Sequence, residues 1–153
     1  MKPIIVSRTI HAPLDLVFRT VADVRNFRHA VPHITNVEFL SDQQLGAGTR
    51  FRETRLMHGR EHTVELEVTE YVENERVRLV SDAGGTIWDT VFSLSPSQAD
   101  GSVELFMRMD IRPYRLLARV MNALIRGMVT KGVQSDMDAV KAYCEAGGTP
   151  GDD

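Results

Sequence analysis

The sequence predicts an α+β fold in which an antiparallel sheet of about seven strands curves around one long C-terminal helix, with two short helices after the first strand. Three observations carry this. Between residues 34 and 111 apolar side chains recur at every second position in six consecutive runs, separated by turn-forming residues. Residues 113–145 instead carry helical spacing, about 30 residues or roughly 45 Å of rod, which needs a broad apolar partner. A short helical segment entered at Pro13 separates the first strand from the others.

In the first strand, Ile4, Val6 and Ile10 alternate with Ile5, Ser7 and Thr9, and Arg8 interrupts the apolar phase. His11-Ala12-Pro13 stops that strand, and Leu16, Val17, Val21 and Val24 follow at helical spacing. This helix is expected to end near Asp23, with a loop or second short helix over 25–33 and Pro32 as its breaker. Residues 34–40 form the next strand, followed by a turn over 42–48. Residues 49–57 and 61–71 then flank His58-Gly59-Arg60 as a hairpin. The second arm sorts cleanly, with His62, Val64, Leu66 and Val68 on one face and Glu61, Thr63, Glu65, Glu67 and Thr69 on the other. Strands over 77–81, 87–94 and 103–111 complete the series, punctuated by Glu73-Asn74-Glu75, Gly84-Gly85 and the 96–101 loop.

The bulk properties bound the function. At 153 residues the chain fits one domain, taken as 1–146, with 147–153 as a flexible tail. A net charge of −3 exerts no global pull towards nucleic acid, and no nucleic-acid partner is expected. The acidic strand face of Glu61, Glu65 and Glu67 would oppose a phosphate backbone. Cys144 is the one cysteine, so no internal disulfide and no cysteine-based metal cluster can form. With no signal-peptide core and no membrane span in the sequence, a cytoplasmic location is the default expectation. No metal site is expected, since the histidines fall at turns without ligand spacing, and no cofactor motif is present. There is no GxSxG elbow, and Gly84-Gly85 reads as a turn rather than a phosphate loop.

The chain resembles the helix-grip superfamily of START-type lipid carriers, plant and pollen-allergen ligand-binding proteins and polyketide cyclase/dehydrase-like (SRPBCC) proteins. The resemblance rests on Ile10-His11-Ala12-Pro13 with Val17-Phe18 and Val21-Ala22-Asp23, on Phe27 with Pro32, and on Leu45-Gly46-Ala47-Gly48-Thr49. It continues through Gly59-Arg60, Val68-Thr69-Glu70-Tyr71 before Arg76-Val77, and the closing Lys141-Ala142-Tyr143-Cys144-Glu145. It implies a hollow between the concave face of the sheet and the last helix, occupied by a small hydrophobic molecule.

Strand phase proposes what lines such a hollow. Val64, Leu66, Val68, Val77, Leu79, Phe92, Leu94, Val103, Leu105, Met107 and Met109 share the apolar phase, which also turns His62, Ser81, Trp88 and Thr90 inwards. Placing Phe51 inwards carries Glu53, Arg55 and Met57 with it; a one-residue slip would reverse all four. From this set the expected ligand-binding residues are Phe51, Arg55, Met57, Val64, Leu66, Leu79, Trp88, Thr90, Phe92, Met107 and Met109, with Met128 and Gly132 on the helix. Glu53 and His62 are the acid/base candidates, because a carboxyl and an imidazole in a greasy pocket could work on an enolisable substrate. Met57, Met107, Met109, Met121, Met128 and Met137 are expected on the two facing walls, where a flexible thioether adapts to varied ligands.

The long helix carries two apolar stripes. Leu117, Val120, Met121, Leu124 and Met128 form one; Val133, Met137, Val140 and Cys144 form another, displaced by more than about 90° at 100° per residue. Gly127 and Gly132 lie at the changeover, so a kink or break is expected there, with 129–145 gripped by the sheet and the preceding part acting as a lid or interaction surface. That preceding part is basic: Arg112, Arg115, Arg119, Arg126 and Lys131 fall between Ile111 and Ser135 with no acidic residue among them. The functional expectation is binding of a small hydrophobic, lipid-like or polyketide-like ligand. The alternatives are a polyketide cyclase/aromatase or dehydratase, acting as a lyase or isomerase, and an adaptor that meets a membrane surface or protein partner through 112–131.

Overall fold

A computed structural model of the chain describes residues 1–97 and 100–148. Of the expected tail over 147–153, residues 149–153 lie outside the described residues. The elements run β1 (Ile4–Ile10), α1 (Leu14–Ala22), α2 (Val24–Ala30), β2 (Ile34–Phe39), β3 (Arg50–Met57), β4 (Arg60–Val72), β5 (Arg76–Ala83), β6 (Thr86–Pro96), β7 (Val103–Pro113) and α3 (Leu116–Glu145). All seven strands form one antiparallel sheet in the order β1-β7-β6-β5-β4-β3-β2, so the first strand closes beside the last.

Local chemistry sets this path. The β3–β4 and β5–β6 connections are two-residue hairpins whose central residues all have positive φ, 52° and 75° at His58 and Gly59, and 63° and 79° at Gly84 and Gly85. Turns of that hand match the right-handed twist of the strands they join. Register shifts between Val68 and Glu70 in β4, and between Ile34 and Asn36 in β2, insert an extra residue that bends the strand and helps to curve the sheet. Asp23 separates the two short helices: its backbone N–H closes α1 on the Arg19 carbonyl, and its side chain accepts from the Arg25 N–H at 3.0 Å to start α2. Val24, expected as the last apolar residue of the first helix, therefore opens the second.

The core lies between the concave face of the sheet and the helices. Ile4, Val6 and Ile10 of β1, Val17 and Phe18 of α1, Leu105 and Met107 of β7, and Met137, Val140 and Cys144 of α3 are all buried. Phe18 meets Tyr71 edge to face with ring centroids 5.2 Å apart.

α3 runs alongside β1 in the same direction and is tied to it repeatedly. Arg126 Nη2 donates to the Pro3 carbonyl at 3.3 Å, Arg8 Nε to Asp138 Oδ1 at 2.6 Å, Lys141 Nζ to the Thr9 carbonyl at 2.7 Å, and Glu145 Oε2 accepts from the His11 N–H at 2.9 Å. Arg8, which interrupts the apolar phase of β1, thus has a partner on the helix.

The expected break at Gly127 or Gly132 does not occur: α3 is one unbroken helix of 30 residues. The two stripes conflict only if both must be buried, and here they are not. Val133 packs against the core with Met137, Val140 and Cys144, whereas Leu117, Val120, Met121, Leu124 and Met128 are exposed. Leaving one stripe outside avoids a bend, and two glycines in a helix cost only about 1 kcal/mol each. The front of α3 is also not hinged at a glycine. Asn122 Nδ2 donates to Thr86 Oγ1 at 2.9 Å, Tyr114 Oη donates to Asp82 Oδ1 at 2.8 Å, and the Arg115 side chain packs on Gly85. Among the described residues no helix is long and apolar enough to cross a membrane.

Candidate functional site

Between the sheet and the helices lies a cavity of about 140 Å³. Leu66 and Val68 of β4, Leu79 of β5, Thr90 and Phe92 of β6 and Met107 and Met109 of β7 supply its floor. Val21, Ala22, Val24 and Phe27 of the α1–α2 pair close one side, Val133, Asp136 and Met137 of α3 the other, and Gln44, Leu45 and Thr49 the rim before β3. Most of the lining is apolar, and its charged side chains gather at one place.

That place is built by β3 and α3. Alternation along β3 turns Phe51, Glu53 and Arg55 inwards, while Arg52 faces out and bridges Glu38 at 3.1 Å and Glu65 at 2.8 Å. Glu53 is only 6% exposed. Arg55 Nε donates to Glu53 Oε1 at 2.5 Å, and its Nη1 donates to both Asp136 oxygens at 3.0 and 2.8 Å. The two acids thus take two of the three guanidinium nitrogens; Nη2 has no protein partner among the described residues. Burial works against the charge on Arg55, but the attraction of Glu53 and Asp136 outweighs it and holds the guanidinium above its ordinary pKa. For Asp136 burial prevails: it raises the pKa above the ordinary carboxylate value, and Arg55 and His33 only partly offset this. The cluster therefore sets two acids against one base in an apolar cavity, with the acid on α3 held towards its neutral form.

The structure brings Phe51, Glu53, Arg55, Leu66, Leu79, Thr90, Phe92, Met107 and Met109 together around the cavity, as strand phase places them. Other expected residues lie elsewhere. His62 pairs across from Arg55 and so shares its face, but the β3–β4 hairpin extends past the helix that could cover it, leaving His62 exposed. Met57, nearer the turn, is exposed for the same reason, and Val64 stops short of the cavity. Trp88 turns inwards beside the β5–β6 turn, at the same end of the sheet as the β3–β4 hairpin, where its indole N–H donates to the Ala83 carbonyl at 3.2 Å, outside the lining. Met128 and Gly132 project from α3 into solvent, because only one face of the unbroken helix meets the sheet. Of the methionines, Met107, Met109 and Met137 line the cavity, while Met57, Met121 and Met128 are exposed.

Asp136 is the charged cavity residue that sequence reasoning missed. Its signal was present: it stands three residues after Val133 and four before Val140, an acid inside the buried stripe of α3. Among the described residues no three His, Cys, Asp or Glu side chains converge as metal ligands.

The family model described as "Polyketide cyclase / dehydrase and lipid transport" matches residues 3–145. No curated protein matches the chain by sequence. Among solved structures, TTHA0849 from Thermus thermophilus is 16% identical, covers 97% of this chain and 100% of its own, and superposes with a TM-score of 0.76. A START superfamily protein from Mycobacterium smegmatis is 15% identical over 94% of this chain and 97% of its own, with a TM-score of 0.75. The di-domain ARO/CYC BexL from the BE-7585A biosynthetic pathway is 17% identical over 93% of this chain but only 46% of its own, with a TM-score of 0.75. At these identities the likeness is one of fold, the helix-grip architecture.

Proposed function

The chain belongs to the polyketide cyclase/dehydrase and lipid transport family, and on that premise we propose that it binds one small, mainly apolar molecule whose polar group is held by Arg55. The observation that carries this is an apolar cavity with a single charged cluster at one wall. A few convergent polar groups in a greasy pocket are what orient a ligand. At about 140 Å³ the cavity is the size that accepts a benzene-like molecule and is smaller than a drug-sized site of about 300 Å³ or more. The ligand that fits is one ring or a short chain. Because Glu53 and Asp136 already share the guanidinium, an anionic head would have to compete with them for it, whereas a neutral phenol or ketone oxygen can accept from Arg55 Nη2.

Titrating the protein with phenol, benzoate and toluene while following backbone amide NMR shifts tests the proposal. Saturable shifts at residues around Leu79, Phe92 and Met137, with phenol the tightest of the three, are expected. The absence of a saturable shift with any of them refutes the reading, and benzoate as the tightest ligand refutes the polar-group argument.

A second reading, as a cyclase or dehydratase, is favoured by one specific observation: Asp136, whose pKa burial raises above the ordinary carboxylate value, shares the cavity with a second carboxyl group, Glu53. Asp136 would donate a proton and Glu53 accept one on an enolisable substrate, while His62, exposed at the hairpin, has no part. Glu53→Gln and Asp136→Asn should each lower turnover of a polyketide-like substrate without abolishing binding, and His62→Gln should leave turnover unchanged. Equal turnover in the two acid variants and the parent protein defeats this reading.

A further inference from the structure

We infer that the front of α3, residues 116–128, is a docking surface for an anionic lipid membrane. The outer face of α3 changes character along its length. In the rear it carries Ser135, Asp138 and Ala142, all exposed and with Asp138 tied to Arg8, as expected of a face in water. In the front the same side carries Leu117, Val120, Met121, Leu124 and Met128, which fall within an arc of roughly 100° at 100° per residue. All five are exposed, Leu117 and Leu124 to 73% and 74%. Leu116 extends the patch. Exposed apolar residues scattered singly need no explanation, but a contiguous stripe does.

The stripe is accessible and rigid. Arg126 meets Pro3, at the start of β1, so the turns before it project beyond the end of that strand. They are nevertheless held in helical form by Ala118 and Asn122, both buried against the sheet end. A preformed helix binds a surface without the ordering cost that a disordered peptide meets.

Charge selects the occupant. Arg112, Arg115, Arg119, Arg126 and Lys131 occur between residues 112 and 135 with no acid, in a chain of net charge −3; Arg112 is paired with Asp89 and Arg126 with the Pro3 carbonyl, which leaves Arg115, Arg119 and Lys131. Arg119 and Lys131 are exposed and form no ion pair among the described residues. A second copy docked through the same stripe on a two-fold axis would bring this cationic stretch against itself, and the apolar spacing lasts under two heptads, too short for a stable coiled coil. An anionic lipid surface offers both partners, hydrocarbon for the stripe and phosphate for the cations.

The test is co-sedimentation with phosphatidylcholine vesicles, with and without phosphatidylglycerol. Binding to the anionic vesicles, weaker binding to the neutral ones and release at high salt are expected. Leu117→Ser with Leu124→Ser should lower the partition coefficient at least about tenfold with an unchanged circular dichroism melt, since both side chains are exposed. Arg119→Gln and Lys131→Gln should each cost up to about fivefold on anionic vesicles. The inference is overturned if the protein ignores anionic vesicles or if the double serine variant binds them equally well. It is also overturned if sedimentation equilibrium finds a dimer that the serine variant dissolves, which would assign the stripe to a second copy. Phenol titration of the cavity is a separate readout, so failure here leaves the ligand proposal standing.

Discussion

Replacing Arg55 by Met separates the charge on the cavity wall from its bulk. The variant keeps an unbranched side chain of similar length but leaves Glu53 and Asp136 without their shared partner. Removing one member of a buried ion pair costs about 3–5 kcal/mol. The side chains of Arg55, Glu53 and Asp136 are 23%, 7% and 18% exposed, so water screens the cluster slightly and about 3 kcal/mol at pH 7 is the expected loss. For a chain of this size that is a fall in melting temperature of about 6–12 °C. The sign of the pH dependence follows from Asp136. Burial already raises its folded-state pKa and Arg55 opposes this, so without Arg55 the value rises further above the unfolded one; folding is penalised at pH 7, where the unfolded chain ionises the group freely, and the penalty fades as pH falls towards about 4. Urea denaturation of the parent and Arg55→Met between pH 4 and 7 should therefore show a gap that narrows on acidification. The triple variant Glu53→Leu, Arg55→Met, Asp136→Leu removes all three charges and should recover to within about 1 kcal/mol of the parent at pH 7 or exceed it. A gap below about 0.5 kcal/mol at pH 7, or one that does not change with pH, would mean that the cluster is hydrated and that the electrostatic account of the cavity is wrong.

Three further outcomes follow from other parts of the molecule. On the outer face, Asp89 accepts from Arg78 Nε at 2.8 Å and from Arg112 Nη2 at 2.9 Å, and hydrogen bonding to Arg78 holds its pKa below 3.8. Its contribution is present above that pH and is lost as pH falls through the depressed value, so acid unfolding of Asp89→Asn should be flatter than that of the parent below about pH 4; parallel curves would remove Asp89 from the acid response. Gly85 and Gly84 both have positive φ, but a Cβ at Gly85 would lie 2.8 Å from Arg115 Cδ, whereas at Gly84 it meets nothing within 4 Å. Each alanine should cost about 1–2 kcal/mol for the backbone, and Gly85→Ala should melt lower than Gly84→Ala by the packing it displaces at the start of α3; equal melting temperatures would refute that packing. Leu79→Trp should fill the cavity and abolish phenol shifts while changing stability by less than about 3 kcal/mol, and retained phenol binding would place the ligand elsewhere.

How much of this was legible in the sequence depends on the element. The strands were, because alternation fixes which side chains share a face: Phe51, Glu53 and Arg55 enter the cavity together as β3 predicts. What alternation cannot supply is position along the strand relative to the covering helix. His62 and Trp88 have the inward phase of the lining residues yet sit towards the end of the sheet that carries the β3–β4 and β5–β6 turns, one exposed in the hairpin and one packed beside the β5–β6 turn. The helix was less legible. Its two stripes were visible, but the inference of a break assumed that every apolar stripe must be buried, and α3 instead carries one stripe outside. Asp136 was overlooked because an acid in an apolar stripe looks like an interruption until the facing strand is known to present Arg55.

The Glu53–Arg55–Asp136 cluster is poorly explained by stability alone. Two buried acids around one guanidinium leave a net charge to be accommodated, and the raised pKa of Asp136 is the mark of an acid that burial disfavours in its ionised form. Well-packed apolar residues of similar volume would hold α3 against β3 as firmly or more so. Anchoring of α3 does not require the cluster either, since β1 already ties the helix through Arg8, Lys141 and the His11 N–H. What apolar residues could not provide is a donor with one nitrogen that has no partner among the described residues, at the wall of a mainly greasy cavity, or an acid beside it that keeps its proton more readily than water would allow. Both are groups that a ligand's oxygen can use. A cavity meant only to be filled by protein or hydrocarbon would have no need of them, so the electrostatic cost of the cluster is itself an argument that this wall is built to meet a polar group on a guest.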